Sequence, residues 1–395
     1  MVRYQGGGNA GHTVVNDKGT FALHLLPSGI FREGVVNILG NGVALDCENL
    51  LGEMNAIRAS GVPITPENLK ISDRASLLLP WHRELDGLEE ARLADKKYGS
   101  TKQGIAPFYS DKYQKKTVMA GELLHPKHLK EHLADLLEWK NLTLQKVYGA
   151  KGWTMEELMN WVDTYCEAVK PYITNTTAFL RDAQKAGKSI LFEAQLGALR
   201  DIDFGIYPYT SSSSTIAAYA PIGAGIPEAR LDTIIGIMKA YCTRVGSGPF
   251  PTELFDETGK RMRDIGHEYG AVTGRERRCG WIDLVQLRYS IMVDGVTELI
   301  MMKSDVLDTF DTIKACVAYR LPDGTETDEL PFELEGVTPI YKEMKGWKTD
   351  MTQYTSEDQF PQEFKDYIQF LEDFLETRIG IISIGPDREQ TIVRG

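Results

Sequence analysis

The chain has 395 residues, of which 42% are hydrophobic, 9% aromatic and 25% charged, a composition typical of ordinary globular proteins that excludes collagen-like and disordered chains. The net charge of −12 and the lack of a Lys/Arg block argue against a nucleic-acid partner. No apolar run is long enough for a membrane span, and the first residues lack the apolar core of a signal peptide, so we expect a cytoplasmic protein without a membrane partner.

The first part of the chain, up to about residue 45, has a β-rich pattern. Short segments such as HTVV and FALHLL alternate with turns such as NDKG, which predicts short strands and a hairpin. From about residue 46 to 186 the apolar residues recur at helical spacing, which predicts a helical insertion. Its last part, about 154–186, is predicted to be one long helical stretch.

Beyond residue 190, short apolar runs such as TIIGIMKAY and ELIMMKSD alternate with helical segments such as WIDLVQLRYSIM. This alternation is typical of a parallel sheet covered by helices. Because no linker splits the chain, we predict one large α/β domain over residues 1–395 with a mostly parallel central sheet flanked by helices. The five cysteines lie far apart, which predicts packing residues instead of disulfides or a zinc site.

The segment GGGNAGH at 6–12 satisfies the G-x-G-x-x-G pattern of dinucleotide-binding loops. That motif should open a helix, whereas the following HTVVNDKGTFALHLL predicts a hairpin, so we reject the dinucleotide interpretation. Two interpretations remain. The segment is either a plain glycine turn, or a flexible loop in which Asn9 and His12 approach a phosphoryl group.

Three further segments have the chemistry of a binding site. KSD at 303–305 follows an apolar strand, where a carboxylate can accept both N1–H and N2–H of guanine; a solvated loop is the alternative. The arginine-rich loop at 270–278 suits an anionic ligand or is an exposed charge run. The segment 193–215 places Gln, Asp and hydroxyl side chains after a buried strand, which fits a ligand pocket or ordinary polar turns.

Taken together, segments along essentially the whole chain resemble adenylosuccinate synthetase. They are RYQGGGNAGHTVV, LHLLPSGI, NILGNGVALD, ISDRASLLLPWHRELD, DIDFGIYPY, KAYCTRVGSGPFPTELFDETG, TGRERRCGWIDLV, KSDVLDTFDTIKACVAY and SIGPDREQTI. The resemblance implies a GTP-dependent carbon–nitrogen ligase of AMP biosynthesis that uses Mg²⁺ and joins IMP and L-aspartate through 6-phosphoryl-IMP. It also implies a P-loop-NTPase-like synthetase fold, a cytoplasmic location and a homodimer.

The resemblance further implies roles for individual residues. His12 corresponds to the general acid that donates to the transferring phosphoryl group, and Gly11 to the glycine whose carbonyl ligates Mg²⁺. The residues implied at the IMP site are Asn9, Ala10, Gly11, His12, Thr101, Lys115, Gln195, Leu196, Ser211 and Arg275. Those implied at the aspartate site are Ala271, Val272, Thr273, Gly274, Arg275 and Arg277. Those implied at the GTP site are Gly11, His12, Thr13, Arg277, Lys303, Ser304, Asp305, Ser383, Ile384 and Gly385.

The chain departs from the family pattern around IMP. Lys115 replaces the arginine that reaches the IMP site of the partner subunit, and Ser211 replaces a threonine. The family's T-T-G-R-G-I-G-P is S-T-K-Q-G-I-A-P at 100–107. Leu196 stands at the ungapped position of the glutamine that binds the 6-oxygen, and the adjacent Gln195 can substitute through a local shift. We interpret these changes as compensated within a subgroup; a modified purine monophosphate as substrate is the alternative.

The family also carries a loop, Gly-Asp-Glu-Gly-Lys-Gly-Lys, upstream of the counterpart of His12, and this chain begins after it. In the family that loop supplies the aspartate that deprotonates IMP and a lysine that steadies phosphates. We therefore expect a version of an active enzyme without its N-terminal strand and phosphate loop, whose activity depends on that loop. The alternative is a non-catalytic nucleotide-binding homologue.

Overall fold

The computed structural model describes residues 1–270, 274 and 276–395, which form two compact units, Met1–Arg230 and Leu231–Gly395. Each unit contains a mainly parallel sheet accompanied by helices, so the predicted α/β class is confirmed. The division of the chain into one domain with a helical insertion at about 46–186 stays a prediction.

The first unit is built on a five-stranded parallel sheet. The strands of the whole unit are β1 (Val2–Arg3), β2 (His12–Asn16), β3 (Gly19–Leu23), β4 (Asn37–Leu39), β5 (Ala44–Leu45), β6 (Leu69–Ser72), β7 (Ser76–Leu77), β8 (Ile173–Thr174) and β9 (Phe192–Glu193). The sheet order is β8-β6-β4-β1-β9, and every neighbouring pair is parallel. Strands β2 and β3 form the predicted antiparallel hairpin, and β1 lies inside the sheet between β4 and β9.

The helices of the first unit pack around a large apolar core that includes the fully buried Trp81. They are α1 (Cys47–Ala59), α2 (Pro80–Leu93), α3 (Ile105–Tyr113), α4 (Pro126–Leu142), α5 (Met155–Trp161), α6 (Thr176–Lys185) and α7 (Ala220–Ala224). The sequence determines where α1 begins, because the Asp46 side chain accepts a hydrogen bond from the Asn49 N–H at 3.1 Å.

The long helical stretch expected over about 154–186 is wrong as a single element. Helix α5 ends at Trp161 and is followed by π and 3-10 turns, the second of which contains Pro171. Proline cannot donate to the helical hydrogen-bond ladder, which favours an end to the helix there. The chain then adds β8 to the sheet beside β6, and the Asn175 side chain caps the start of α6.

The second unit combines a parallel sheet with an antiparallel one. Its strands are β10 (Ile235–Lys239), β11 (Cys242–Arg244), β12 (Arg278–Gly280), β13 (Ile282–Asp283), β14 (Glu298–Met302), β15 (Thr312–Arg320), β16 (Glu326–Thr327), β17 (Thr338–Lys345), β18 (Ile379–Ser383) and β19 (Thr391–Val393). Its helices are α8 (Glu257–Ile265), α9 (Leu284–Asp294) and α10 (Gln362–Leu375). In the order β10-β14-β18-β19, the first two pairs are parallel, so β10, β14 and β18 end at one edge.

Two general expectations can be compared with this structure. The cysteines are free, and most are buried as packing residues: Cys47, Cys166, Cys279 and Cys316. Within residues 1–270, 274 and 276–395, no helix has both the length and the apolar character that crossing a bilayer requires.

Candidate active site

The glycine loop, residues 6–11, follows β1 and leads into the hairpin, not into a helix. The Gly6 N–H donates to the Tyr109 hydroxyl at 3.1 Å, and the Gly6 carbonyl accepts from the Ala44 N–H at 2.8 Å. Gly6 has φ +73°, and a Cβ there would lie 2.2 Å from Nε2 of Gln195. Only glycine therefore lets Gln195 pack against this loop.

His12 begins β2 beside a buried cluster of charges. Its Nε2 lies 3.3 Å from Oε1 of Glu193 at the end of β9, and the same oxygen lies 3.6 Å from Nη1 of Arg3. The Ser28 N–H donates to the other oxygen of Glu193 at 3.0 Å. Burial lowers the pKa of His12, although the Glu193 carboxylate opposes that shift. Within the part of the chain that the structure describes, the buried Nε2 of His12 has no aligned hydrogen-bond partner.

A second histidine, which the sequence analysis missed, faces the glycine loop. His24 Nδ1 lies 3.5 Å from Oε1 of Glu53, and a Cβ added to Gly11 would lie 3.0 Å from His24 Nε2. The Glu53 carboxylate also accepts the backbone N–H groups of His24, Leu25 and Leu26 at 2.9, 3.0 and 3.0 Å. Three backbone donors thus fix this carboxylate at the end of the hairpin.

A chain of side-chain contacts joins two of the predicted IMP residues. Gln5 Nε2 donates to the Gln195 carbonyl at 2.8 Å, and the Ser213 hydroxyl donates to Gln5 Oε1 at 3.2 Å. The Ser211 hydroxyl lies 3.3 Å from that of Ser213. Gln5 and Ser213 lie in segments that the sequence analysis singled out, but neither was assigned to the site, because only the folded chain brings them together.

The surroundings of Gln195 and Leu196 show which of the two side chains contacts the glycine loop. Gln195 Nε2 lies 3.3 Å from the Gln5 carbonyl and 3.4 Å from the Gly7 carbonyl. Leu196 is 38% exposed and has φ +80°, a conformation that costs a side chain with a Cβ free energy. The amide of Gln195, not the side chain of Leu196, therefore packs on the glycine loop. Among the described residues, Oδ1 of Asn9 and Oε1 of Gln195 are buried acceptors without a partner.

The loop that carries Thr101 is held by an aspartate of α2. Asp86 accepts the Ser100 hydroxyl at 2.6 Å and the Gly104 N–H at 2.9 Å. The Thr101 side chain between them is exposed. Lys115 is also exposed, just beyond the end of α3. The remaining residues predicted in this unit, Ala10, Gly11 and Thr13, lie on the glycine loop and β2.

In the second unit the predicted GTP residues lie at the carboxyl edge of β14 and β18. Lys303 follows β14 directly, and its Nζ donates to the Gly266 carbonyl at 2.6 Å. The Ser304 hydroxyl donates to the Ser383 carbonyl at 2.8 Å, and the Ser383 hydroxyl donates to the Gly385 carbonyl at 2.9 Å. Ile384 is buried between the last two. These contacts join the two segments that the sequence predicted separately.

Two aspartates follow Lys303 on the same turn. Burial raises the pKa of the half-buried Asp305, while Lys303 opposes the shift. Burial also raises the pKa of Asp308, to about 7. The indole Nε1 of Trp347 donates to Asp308 Oδ1 at 2.6 Å, and the Met351 N–H donates to its Oδ2 at 3.3 Å.

A fully buried carboxylate, Glu268, lies behind these residues. It accepts Lys239 Nζ at 2.8 Å, Lys303 Nζ at 3.1 Å, Arg277 Nη1 at 2.8 Å and the Tyr241 hydroxyl at 2.6 Å. Burial alone raises the pKa of Glu268, but Lys239 and the other donors outweigh it and lower the pKa to about 2. The sequence analysis missed Glu268, since GHEYG carries no recognisable motif.

The loop predicted to close on aspartate is described only in part. Ala271, Val272, Thr273 and Arg275 lie outside the described residues. Gly274 is exposed, and its N–H donates to the Gly270 carbonyl at 2.8 Å.

Comparison with known proteins identifies the family of the chain. The family model described as adenylosuccinate synthetase matches residues 1–392. The chain belongs to the adenylosuccinate synthetase family. Adenylosuccinate synthetases are GTP-dependent ligases that join IMP and aspartate in AMP biosynthesis, so the predicted enzyme class is confirmed.

Individual relatives agree with this assignment. An adenylosuccinate synthetase of Phocaeicola vulgatus is 49% identical over 409 residues, which cover 100% of this chain and 92% of that protein. One of Bacteroides thetaiotaomicron is 50% identical over 405 residues, with the same coverage of 100% and 92%.

Solved structures give the same fold. The fully ligated adenylosuccinate synthetase from Plasmodium falciparum superimposes with a TM-score of 0.93 at 32% identity, over 100% of this chain and 93% of that one. A cyanophage S-2L succinoaminodeoxyadenylate synthetase bound to dGMP and dATP gives a TM-score of 0.59 at 19% identity, over 98% and 87% of the two chains, which shows a shared fold alone.

The described residues do not by themselves fit the magnesium ion that the family implies. No three His, Cys, Asp or Glu side chains within residues 1–270, 274 and 276–395 form a group that could hold a metal. The predicted ligand in this chain is the Gly11 carbonyl, and a single backbone oxygen falls well short of the six that Mg²⁺ prefers.

Proposed function

We propose that the chain ligates IMP and L-aspartate with GTP by binding IMP on the glycine loop of the first unit and guanine at the carboxyl edge of the second. The observation that carries the proposal is that His12 and Gln195 both adjoin one glycine loop. His12 Nε2 is buried without an aligned partner among the described residues, as a donor reserved for a ligand would be. The Gln195 amide packs on the same loop.

The reaction needs two steps because the 6-oxygen of hypoxanthine is a poor leaving group. In the first, N1 of IMP loses its proton and the γ-phosphoryl group of GTP moves to that oxygen, giving GDP, 6-phosphoryl-IMP and a proton. In the second, the aspartate amine attacks C6 and inorganic phosphate leaves. His12 donates a proton from Nε2 to the transferring phosphoryl group, and Glu193 stabilises the charged imidazolium.

Guanine recognition belongs to the second unit. Asp305 is the acceptor for N1–H and N2–H in this proposal; its place after the end of a parallel strand and its half-burial support that role. Arg277 and Lys303 supply positive charge at the same edge. Arginine and lysine both suit the nucleotide phosphates, and arginine adds a bidentate fork for carboxylates.

Three further features belong to the same proposal. The enzyme acts in the cytoplasm and takes Mg²⁺ with its nucleotide. It is a homodimer in which the exposed Lys115 of one subunit reaches the IMP site of the other. Lysine keeps the positive charge of the family's arginine at this position, which supports a contact with the IMP phosphate.

One observation favours a second candidate function, ligation on a modified purine monophosphate. Gln195 directs its Nε2 at two backbone carbonyls, so its Oε1 is the free atom, and no described residue donates to it. A free acceptor suits an N–H donor on the purine. IMP offers N1–H alone, whereas GMP offers N1–H and a 2-amino group. GMP therefore offers this acceptor one more kind of donor than IMP does.

Phosphate release measured with IMP, GTP, aspartate and Mg²⁺, each omitted in turn, tests the proposal. We expect release that depends on all three substrates, with IMP preferred to GMP. A preference for GMP would establish the second candidate. The assay is run on this chain and on the same gene read from a start codon further upstream. Nucleotide binding without turnover in both forms would instead identify a non-catalytic homologue.

A further inference from the structure

Glu268 is an unusual carboxylate because three cations share it. Its side chain is 0% exposed, whereas those of Lys239, Arg277 and Lys303 are 25%, 30% and 35% exposed. The anion is therefore at the bottom of the cluster, and the three cations extend from it toward solvent. A single buried carboxylate balances one of the three positive charges.

The three cations come from three different segments. Lys239 ends β10, Lys303 follows β14, and Arg277 immediately precedes β12. Because β10 and β14 are parallel neighbours, their carboxyl ends lie together, and Glu268 connects them to the segment of Arg277. The Tyr241 hydroxyl occupies a further lone pair of the carboxylate.

Stability alone is a weak reason for this arrangement. A buried ion pair is often no more stabilising than an apolar replacement of similar volume, because both charges lose their hydration. Three like charges held around one anion also repel each other. Such a cluster is favourable once an anionic ligand neutralises the excess positive charge on the solvent side.

We propose that Glu268 is a positioning residue for the GTP half-site, acting through Arg277 and Lys303. The proposal rests on the proposed function, in which both cations belong to that half-site. Glu268 accepts Arg277 Nη1 on Oε2 and Lys303 Nζ on Oε1, an oxygen that also accepts Lys239 and Tyr241, so one carboxylate holds both cations of the half-site. Lys303 Nζ also donates to the Gly266 carbonyl, which fixes the lysine from a second side.

The substitution Glu268→Gln tests this role because it keeps the shape and removes the charge. We expect KM for GTP to rise about tenfold, the loss typical of one charge-assisted hydrogen bond, while KM for IMP and kcat change less than about twofold. A merely structural role would lower the folded fraction and reduce kcat without this split. Glu372→Gln is the matched control, since Glu372 is a mostly buried carboxylate paired with an arginine, Arg394, in the same unit.

Coupling to Arg277 provides the decisive comparison. If Glu268 acts through that side chain, Glu268→Gln raises KM for GTP less in an Arg277→Met background than in the wild type. Equal effects in both backgrounds, or an unchanged KM for GTP in folded Glu268→Gln, would overturn the proposal.

Two measurements keep the test conclusive. Glu268→Asp retains the charge but shortens the side chain, so it is expected to fold if Glu268→Gln does not and still to raise KM for GTP. Calorimetric titration with GTP alone measures the affinity without turnover. If the wild type binds GTP but releases no phosphate with IMP and aspartate, the proposed function fails while the role of Glu268 is still decided by the affinities. Equal GTP affinity of wild type and Glu268→Asp would overturn the inference.

Discussion

The imidazole Nε2 of His12 lies 3.3 Å from the carboxylate of Glu193, at the point where the glycine loop enters the hairpin. Burial lowers the pKa of His12, and the Glu193 carboxylate opposes that shift by favouring the protonated imidazolium. Glu193 in turn is held by Arg3 and by the Ser28 N–H. The contact between His12 and Glu193 therefore joins the end of β9 to the point where the glycine loop enters the β2–β3 hairpin.

Replacing His12 by Asn should lower kcat by about a hundredfold or more, because a positioned general acid contributes at least that factor. KM for IMP should change little. Steady-state phosphate release checks both values. His128→Asn is the control, since that side chain is 68% exposed on α4. An unchanged kcat in His12→Asn would exclude His12 from the chemistry.

For Gln195, the residue next to the family position, we predict a change in IMP binding instead of a change in kcat. Gln195→Leu should raise KM for IMP about tenfold, since it removes a half-buried amide that packs on the glycine loop and leaves its polar neighbours unpaired. Leu196→Ala is the matched control and should leave KM within about twofold, because Leu196 is 38% exposed. The reverse order of effects would mean that Leu196 occupies the ligand side of the loop.

The sequence predicted the hairpin and the strand ends because both depend on local patterns. Alternation in HTVV and the NDKG turn specify β2 and β3, and the apolar runs specify β10, β14 and β18. The sequence did not predict the break within 154–186, because β8 forms by pairing with β6, about a hundred residues earlier in the chain. A search for helical periodicity in a short stretch of sequence cannot detect that pairing.

The residues of the candidate site also divide into those that local motifs predict and those that only the fold brings together. Motifs identified Lys303 and Asp305, whereas Glu268 lies 29 residues from Lys239 and 35 residues from Lys303, and its role depends on contacts that the fold creates. The register of Gln195 and Leu196 also stayed open in the sequence, since both fit an alignment. The backbone at Leu196, with φ +80°, is what separates them.

Asp305→Asn should lower the preference for GTP over ITP about tenfold, measured as the ratio of kcat/KM values. ITP lacks the 2-amino group, so an acceptor that reads N2–H is expected to discriminate between the two nucleotides, and an amide donates where the carboxylate accepted. Asp350→Asn is the control, because Asp350 is an exposed aspartate in the same unit. Retained GTP preference in Asp305→Asn would show that guanine is read elsewhere.

The stability of the second unit should depend on the protonation of Asp308. Burial raises its pKa from an ordinary 3.8 to about 7, and Asp305 and Asp350 add to the rise against the Trp347 and Met351 donors. Between these two values the folded chain binds more protons than the unfolded chain, so stability falls as the pH rises through that window.

Asp308→Asn removes this dependence. The melting temperature of the variant, relative to wild type, should therefore increase by a few degrees between pH 5 and pH 8. Differential scanning calorimetry at both pH values measures the shift. Asp311→Asn provides the baseline, since Asp311 is exposed and its pKa is lowered by Lys348, so it titrates below this range. A constant difference between wild type and Asp308→Asn would contradict the assigned pKa.

Mixing two inactive variants tests whether Lys115 acts across a dimer interface. Lys115→Ala and His12→Asn should each show low activity alone, because one loses the phosphate contact and the other the general acid. If each site combines His12 of one subunit with Lys115 of the other, a hybrid dimer contains one intact site and one site that carries both defects. Random exchange produces hybrids as about half of all dimers, so the mixture should regain roughly a quarter of wild-type activity.

Size-exclusion chromatography with light scattering verifies the dimer. If both residues of a site came from the same subunit, every site in the mixture would carry one defect, and activity would stay at the average of the two variants.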